Sequence, residues 1–402
     1  MNRRMVAVLA LACGLAGCVG EFGAPDQWPS ALVQAVNDNQ SGAAATDIQA
    51  AQSDVISGSV SGAGNYQIFD LGPGTVGDNW VIAPQSASYS AGPFTLVLLD
   101  EDEDLLMRTV VSRQTPLKHT ARHTTPHVYL GVTPASVATG GAFNLEVQWQ
   151  GGLSVPSAAR QVVYLSFEGA SGVRVHGRGA IALPAFDAST VSADHSGASE
   201  QMALEIVETM RLDYAPYDVT VTSSFDGPAP QEAGCTVVYF GGSDDTLLGL
   251  ADNVDMYNAN KQQVAVVYVD SFGPYALMGL DAEEMGLMIG NVGSHELGHL
   301  LGLYHTAEPD ELMDSTGSAW DLAQNQSFGR APLERAVFPT GMQNAPELLR
   351  ETLGLNPSAA QPSAKLADAA KIVRRERMKA FTLSEISRRC GICLDPDDIR
   401  GD

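Results

Sequence analysis

The chain has 402 residues, with 23 Lys or Arg against 47 Asp or Glu, a formal net charge of −24 and a pI near 4.5. Such a surface repels nucleic-acid phosphates and anionic bilayers, so no nucleic-acid partner is expected and charge alone would not hold the chain on a membrane. Apolar residues make up 45 %, enough for sizeable cores, and at roughly 100–200 residues per domain the length implies two or three of them.

The first element in the chain is a processing signal. Arg3 and Arg4 open it, and the apolar stretch "MVAVLALACGLAG" that follows is too short to cross a bilayer comfortably. It ends in Leu15-Ala16-Gly17-Cys18, which resembles the bacterial lipobox. The resemblance implies that residues 1–17 are a lipoprotein signal peptide and that lipid is attached to Cys18. Val19, and not Asp, follows the cysteine, so in a Gram-negative source a lipid-anchored place at an outer membrane or cell surface is expected over free secretion; the alternative is an ordinary secretory signal that happens to contain a cysteine. Residues 18–54, rich in Ala, Ser, Gln, Asp and Gly, read as a tether with one short helix around residues 30–37.

Residues 55–150 read as an all-β sandwich. The runs "NYQIFDL", "NWVIAP", "FTLVLLD", "LLMRTVV", "HVYLGV" and "FNLEVQW" are rich in β-formers, with Gly, Pro and Asp turns between them about every ten residues. The "FTLVLLDEDEDLLMR" hairpin and the "HVYLGV…GGAFNLEVQW" strands resemble the small pre-peptidase sandwich that accompanies secreted bacterial peptidases. Asp100–Asp104 could take Ca2+, but the stretch lacks the glycine and distant bidentate acid of a dedicated loop, so a solvated turn is the simpler reading. His119, His123 and His127 recur every four residues. Pro126 and the threonines around them argue against one helix, which leaves solvated loop histidines.

Residues 151–160 form a linker, and 161–355 a mixed α+β region. "QVVYLSFEG", "YDVTVTSS", "CTVVYFGG" and "VAVVYVD" read as strands, with Cys235 a buried thiol. Met202, Ile206 and Met210, with Leu204 and Val207 alongside, mark one amphipathic helix; a second, "DAEEMGLMIGNVGSHELGHLLGL", opens with Asp281 and Glu284 in capping-box positions. Asp244, Asp245, Asp252 and Asp255 fall in one loop, where plain surface acidity is the alternative to Ca2+. Residues 356–402 read as a helical tail, in which Cys390 and Cys393 can form a C-x-x-C disulfide in an oxidising compartment.

The densest chemistry is "SHELGHLLGLYH", which places three of the eight histidines within eleven residues. His295 and His299, four apart on a helix, can turn their imidazoles to one ion. On a continuing helix His305 would lie roughly 15 Å beyond His295, out of reach. Gly302 can take the positive φ that ends a helix, letting the chain double back. Glu296 would then face the open position of a three-histidine zinc site as general base.

The pattern H-E-x-x-H-x-x-G-x-x-H, present here without gaps, resembles the signature of the metzincin zinc metallopeptidases, and "ELMDS" resembles their methionine turn, with Met313 an apolar floor under the metal. "VVYLSFEG", "DYAPYDVTVT" and "GHLLGLYHT…ELMD" are similar to a matrixin-like bacterial branch. The resemblance implies a twisted, mostly parallel sheet with two long helices, one catalytic Zn2+, and protein or peptide substrates pairing with "QVAVVYVD" as the sheet's edge strand. It places the wall of the pocket beyond the cleavage point between Asp314 and Arg330. Thr306 and Ser315 do not match the best-known subfamilies. The competing readings are a catalytically inactive surface-binding lipoprotein with a structural zinc site, and a zinc hydrolase that does not cut proteins.

Overall fold

The structure, a computed structural model, describes residues 52–357 apart from 63, 86–91, 113–114, 137 and 232–233, together with Ala7–Val8. Among the described residues the chain falls into two units. One takes in the chain up to Pro156 together with Phe338–Met342; the other is Ser157–Val337 with the stretch from Gln343. Each has its own apolar core.

The first unit is built from antiparallel strands in two sheets. One sheet holds β1 (Ala7–Val8), β3 (Gln67–Asp70), β8 (Tyr129–Pro134), β5 (Phe94–Leu99) and β6 (Leu105–Val111), in that order. The other holds β2 (Gln52–Ser61), β9 (Gly140–Gln150), β4 (Asn79–Pro84) and β7 (Leu117–Thr120). Phe69, Trp80, Ile82, Leu96, Leu98, Phe143 and Leu145 fill the core. All six residues of β5 are buried, where a sheet with one wet face would alternate. Phe338 explains this. It is fully buried, and a Cβ on Gly131 of β8 would lie 2.5 Å from its ring and 2.6 Å from Val97 Cγ2. The glycine is what lets that ring reach the sheet.

The three regularly spaced histidines are not all solvated. His119 lies in β7, buried and stacked on Trp80 at 6.3 Å. Burial, helped by the charges of Arg122 and His123, holds it near pKa 3, so it packs as a neutral aromatic. His127 Nδ1 sits 3.0 Å from Asp70 Oδ2, and His123 Nε2 3.4 Å from Asp100 Oδ2. Asp100 also accepts from the Asp102 and Asp104 amides at 2.9 Å, closing the acidic turn on itself.

The second unit is α/β. Its main sheet runs β13 (Val219–Ser223), β10 (Gln161–Ser166), β14 (Cys235–Phe240), β16 (Val264–Val267), β15 (Gly249–Ala251). Three pairs are parallel, and β15–β16 is antiparallel. The sheet is therefore mixed, and "QVAVVYVD" is not its edge: β16 lies inside, and the three residues of β15 take the outer place. A small hairpin, β11 (Ala170–Val173) and β12 (Ile181–Leu183), follows β10.

Two helices pack together against this sheet. In α1 (Ser199–Asp213) the residues Met202, Ala203, Ile206, Val207 and Met210 are buried, but Leu204 is 48 % exposed, outside the stripe expected for it. From Met285 onward every residue of α2 (Ala282–Leu300) is buried. A helix apolar all round needs neighbours on every side, and glycines make room for one. Cβ atoms on Gly286, Gly290 and Gly293 would lie 2.8 Å from Glu205 Cβ, Thr209 Cβ and Met210 Sδ of α1. Cys235 is half-buried, its Sγ 3.6 Å from the Thr236 carbonyl.

Candidate metal centre

The N-terminus of α2 is fixed by a reciprocal cap: Asp281 Oδ1 accepts from the Glu283 and Glu284 amides, and Glu284 Oε2 accepts from the Asp281 amide. At the other end the Gly302 amide donates to the His299 carbonyl and the Leu303 amide to the Gly298 carbonyl, both at 2.9 Å. These are the paired bonds of a Schellman motif. Gly302 has φ +101°, and a Cβ there would lie 2.6 Å from Met256 Cα. Backbone conformation and the passing 255–257 segment both demand glycine. The reversal it allows returns His305 to the last turn of the helix.

The result is a convergence of three imidazoles. His295 Nε2 lies 3.1 Å from His299 Nε2 and 3.1 Å from His305 Nε2. The other ring nitrogens are engaged: His295 Nδ1 donates to the Leu312 carbonyl and His299 Nδ1 to the Leu303 carbonyl, each at 2.7 Å. A carbonyl can only accept, so the Nδ1 atoms carry hydrogen and the Nε2 atoms present lone pairs. His305 Nδ1 lies 3.3 Å from Glu334 Oε2. Burial lowers His295 to about pKa 4. Burial, with His295 and His305 beside it, takes His299 well below its ordinary value.

Two neutral imidazoles thus turn Nε2 lone pairs inward, and the third brings its Nε2 to the same point. Without a cation between them these dipoles repel. Tetrahedral nitrogen ligands at about 2.0–2.1 Å stand roughly 3.3–3.4 Å apart, close to the separations found. The residues therefore fit a divalent metal held by three histidines.

Glu296, 1 % exposed, lies against β15: a Cβ on Gly249 would be 2.4 Å from its Oε1. Glu296, His295, His305, Leu248 and Gly249 line a cavity of ≈ 80 Å³ together with Asp314, Ser315, Gly317–Ala319, Asp321, Leu322 and Gln326. Met313 is fully buried, and a Cβ on Gly298 would lie 2.5 Å from its Sδ. The thioether thus presses on the helix between the two histidines.

Several residues that build the site carried no signal in the motif. Buried Glu311 accepts from Thr306 Oγ1 at 2.7 Å, from the Met313 amide at 2.8 Å and from the Gly329 amide at 3.2 Å. With the bond from the Thr306 amide to the Met313 carbonyl, it ties the segment after His305 to the turn that holds Met313, which gives Thr306 its use here. Gln343 grips the Tyr304 backbone through both its amide and its carbonyl. Ser294 Oγ donates to Asp213 Oδ2 at 2.6 Å and the Ser294 carbonyl accepts from Tyr214 Oη at 2.8 Å, so the end of α1 holds the residue before His295. A lone glycine in the apolar run "LLGLA" is the one hint the sequence offered of close backbone approach at Gly249.

The four acids do not share one loop, because β15 separates Asp244 and Asp245 from Asp252 and Asp255, and three of them are engaged by protein donors. Asp244 pairs with Arg178 at 2.6 Å, Asp252 accepts from the His176 amide, and Asp255 accepts from the Asn260 amide and Gln263 Nε2. Cys18, Cys390, Cys393 and the helices expected around 30–37 and in the tail lie outside the described residues.

No family model matches the chain, and no curated protein matches it. Solved structures resemble parts of it. Archaemetzincin from Methanopyrus kandleri matches at 13 % identity and TM-score 0.24, covering 44 % of this chain and 91 % of that one. A mitogen from Yersinia pseudotuberculosis matches at 15 % and 0.19, over 26 % of this chain and 90 % of that one. A family two carbohydrate esterase from Cellvibrio japonicus matches at 8 % and 0.17, over 61 % and 77 %. At TM-scores this low none of these likenesses bears on what the chain does.

Proposed function

We propose that the chain is a zinc-dependent endopeptidase that hydrolyses proteins or peptides outside the cytoplasm. The reading rests on one observation above all: three histidines bring their Nε2 atoms together, two of them held in the metal-binding tautomer by main-chain carbonyls, beside a buried glutamate that shares their cavity. His295, His299 and His305 would hold the ion. Zinc, when bound, supplies Lewis-acid polarisation and lowers the pKa of water to about 7.

The protein's own residues do the rest. Glu296 takes a proton from the attacking water, keeps it on a carboxylate oxygen shielded from bulk solvent, and delivers it to the leaving amine. Strand β15 suits a peptide in particular. The Leu248 carbonyl accepts from the Tyr268 amide and the Asp252 amide donates to the Val264 carbonyl, so the alternate residue Gly249 turns its N–H and C=O away from β16. An extended main chain pairing there would lie beside the strand that covers Glu296.

Glu296→Ala is expected to retain its metal while protein cleavage falls at least 10²-fold, the lower end of general-base contributions of about 10²–10⁴-fold; a chelator should abolish wild-type cleavage. A variant keeping more than about a tenth of the activity would remove the base from the mechanism. The proposal extends to export and lipid attachment at Cys18. Cys18→Ser should move the protein from the membrane to the soluble fraction, and a wild-type protein found wholly soluble with an unmodified N-terminus would end that part.

A further inference from the structure

Helix α1 shows solvent an unusual face. Leu204 is 48 % and Leu212 63 % exposed, eight positions apart on one stripe with Glu208 midway between them. Glu205, Glu208, Gln201 and Glu283 of α2 border a shallow groove beside Leu204. The one cation there, Arg211, is turned to Asp226 Oδ2 at 2.6 Å and to the Val221 carbonyl. The face is apolar and acidic together.

The chain carries a segment of matching chemistry. From Lys365 to Arg389 there are eight basic and three acidic residues, a net +5 in a chain whose total is −24, which leaves −29 for everything else. Leu366, Ala369, Ala370 and Val373 recur at the spacing of one helical face, and Arg377 falls on that face too. A basic segment with an apolar stripe answers an acidic face with exposed leucines.

The chain leaves the described structure at the right place. Asn356 donates from its backbone amide to the Pro216 carbonyl at 2.9 Å and from Nδ2 to the Ala215 carbonyl at 3.1 Å, and Leu355 bridges Tyr217. These positions directly follow the last residue of α1, Asp213. Seven residues, 358–364, then span at most about 25 Å, while α1 is roughly 22 Å long. A segment starting at Lys365 can therefore begin at either end of the helix.

We infer that the basic segment Lys365–Arg389 docks on the outer face of α1, across Leu204, Glu205, Glu208 and Leu212. The charges steer and register the contact, and the leucines provide the apolar area. The occupant is the protein's own tail, tethered next to its site, so its effective concentration exceeds that of any free partner.

The experiment is hydrogen exchange on the full chain. In wild type at low salt, amides within 365–381 are expected to exchange at least tenfold more slowly than in the double variant Gln201→Lys/Glu208→Lys, which changes two exposed groove residues. Leu204→Ser/Leu212→Ser should lose the same protection with charge unchanged, and both variants should keep wild-type exchange in α2, which shows that the unit is folded. Protection equal in wild type and both variants would overturn the proposal. So would a tail that exchanges at the unprotected rate throughout, or one protected only when vesicles containing anionic lipid are added.

Discussion

Asp213 is half-buried, and its hydrogen bond pulls against its surroundings. Burial pushes it from 3.8 up to about 7, against the pull of the bond from Ser294 Oγ. Buried Glu311 moves the same way, from 4.5 to about 7, burial again outweighing its three donors. For groups raised on folding, the stability they contribute is fully present below the unfolded pKa and is lost as pH rises through the folded one. From Asp213 alone the change, about three pH units, is on the order of 4 kcal/mol at most. Asp213→Asn keeps the shape and the Ser294 contact but cannot ionise. With a chelator present, so that metal binding contributes nothing, the urea midpoint of wild type is expected to fall from pH 4 to pH 7 more steeply than that of the variant, by about the share of one group in two. His119 and His295, held neutral by burial, act in the opposite sense, but identically in both proteins, so they cancel in the comparison. Superimposable pH profiles would show that Asp213 does not carry this load.

Contact between α1 and α2 decides where the histidines stand. It depends on Gly286, Gly290 and Gly293, because any side chain at these positions meets α1 within 3 Å. Gly290→Val should therefore cost about 3 kcal/mol, the upper range for overpacking, and weaken metal binding, since the helix that carries His295 and His299 must move. Gly179→Val, at a position with nothing within 4 Å, should stay within about 0.5 kcal/mol. Equal midpoints in a denaturant titration would sink the packing account. The same scale shows what could be read before the structure. The capping box at Asp281, the one-turn spacing of His295 and His299, and the reversal at Gly302 are set by neighbours within a few residues, and such local patterns show in the sequence. Strand β15 was missed because three residues, "GLA", carry no alternation, and its place at the edge is fixed only by pairing with β16. Glu311 and Gln343 were missed for a related reason. Their meaning lies in main-chain donors and acceptors that folding brings to them, and no spacing in the sequence encodes that. The "FTLVLL" run was legible as a strand, but its burial on both faces depends on Phe338, more than two hundred residues away.

At the scale of the whole chain, the two units carry separate cores, one around Trp80 and Phe143, the other around α1, α2 and the mixed sheet. His295, His299 and His305 all belong to the second unit, as does every hydrogen bond described above that orients them. An ion that binds only the folded site adds stability in proportion to the logarithm of its concentration over its Kd, and it adds it only to the unit that must be folded to bind. A ratio of about 1,000 between free metal and Kd corresponds to roughly 4 kcal/mol. For a unit of some 200 residues that is a shift on the order of 10 °C, since each kcal/mol is worth about 2–4 °C in domains of that size. Scanning calorimetry of the full chain should therefore resolve two transitions, of which a chelator lowers one by about 10 °C and leaves the other in place. Limited proteolysis at the intermediate temperature should then spare the first unit, identified by a fragment beginning near Gln52 and ending near Pro156 that retains the Phe338–Met342 stretch as a bound peptide, while the rest of the second unit is degraded. Transitions that move together on chelation, or neither moving, would mean that the metal is not confined to the second unit or does not contribute to its fold.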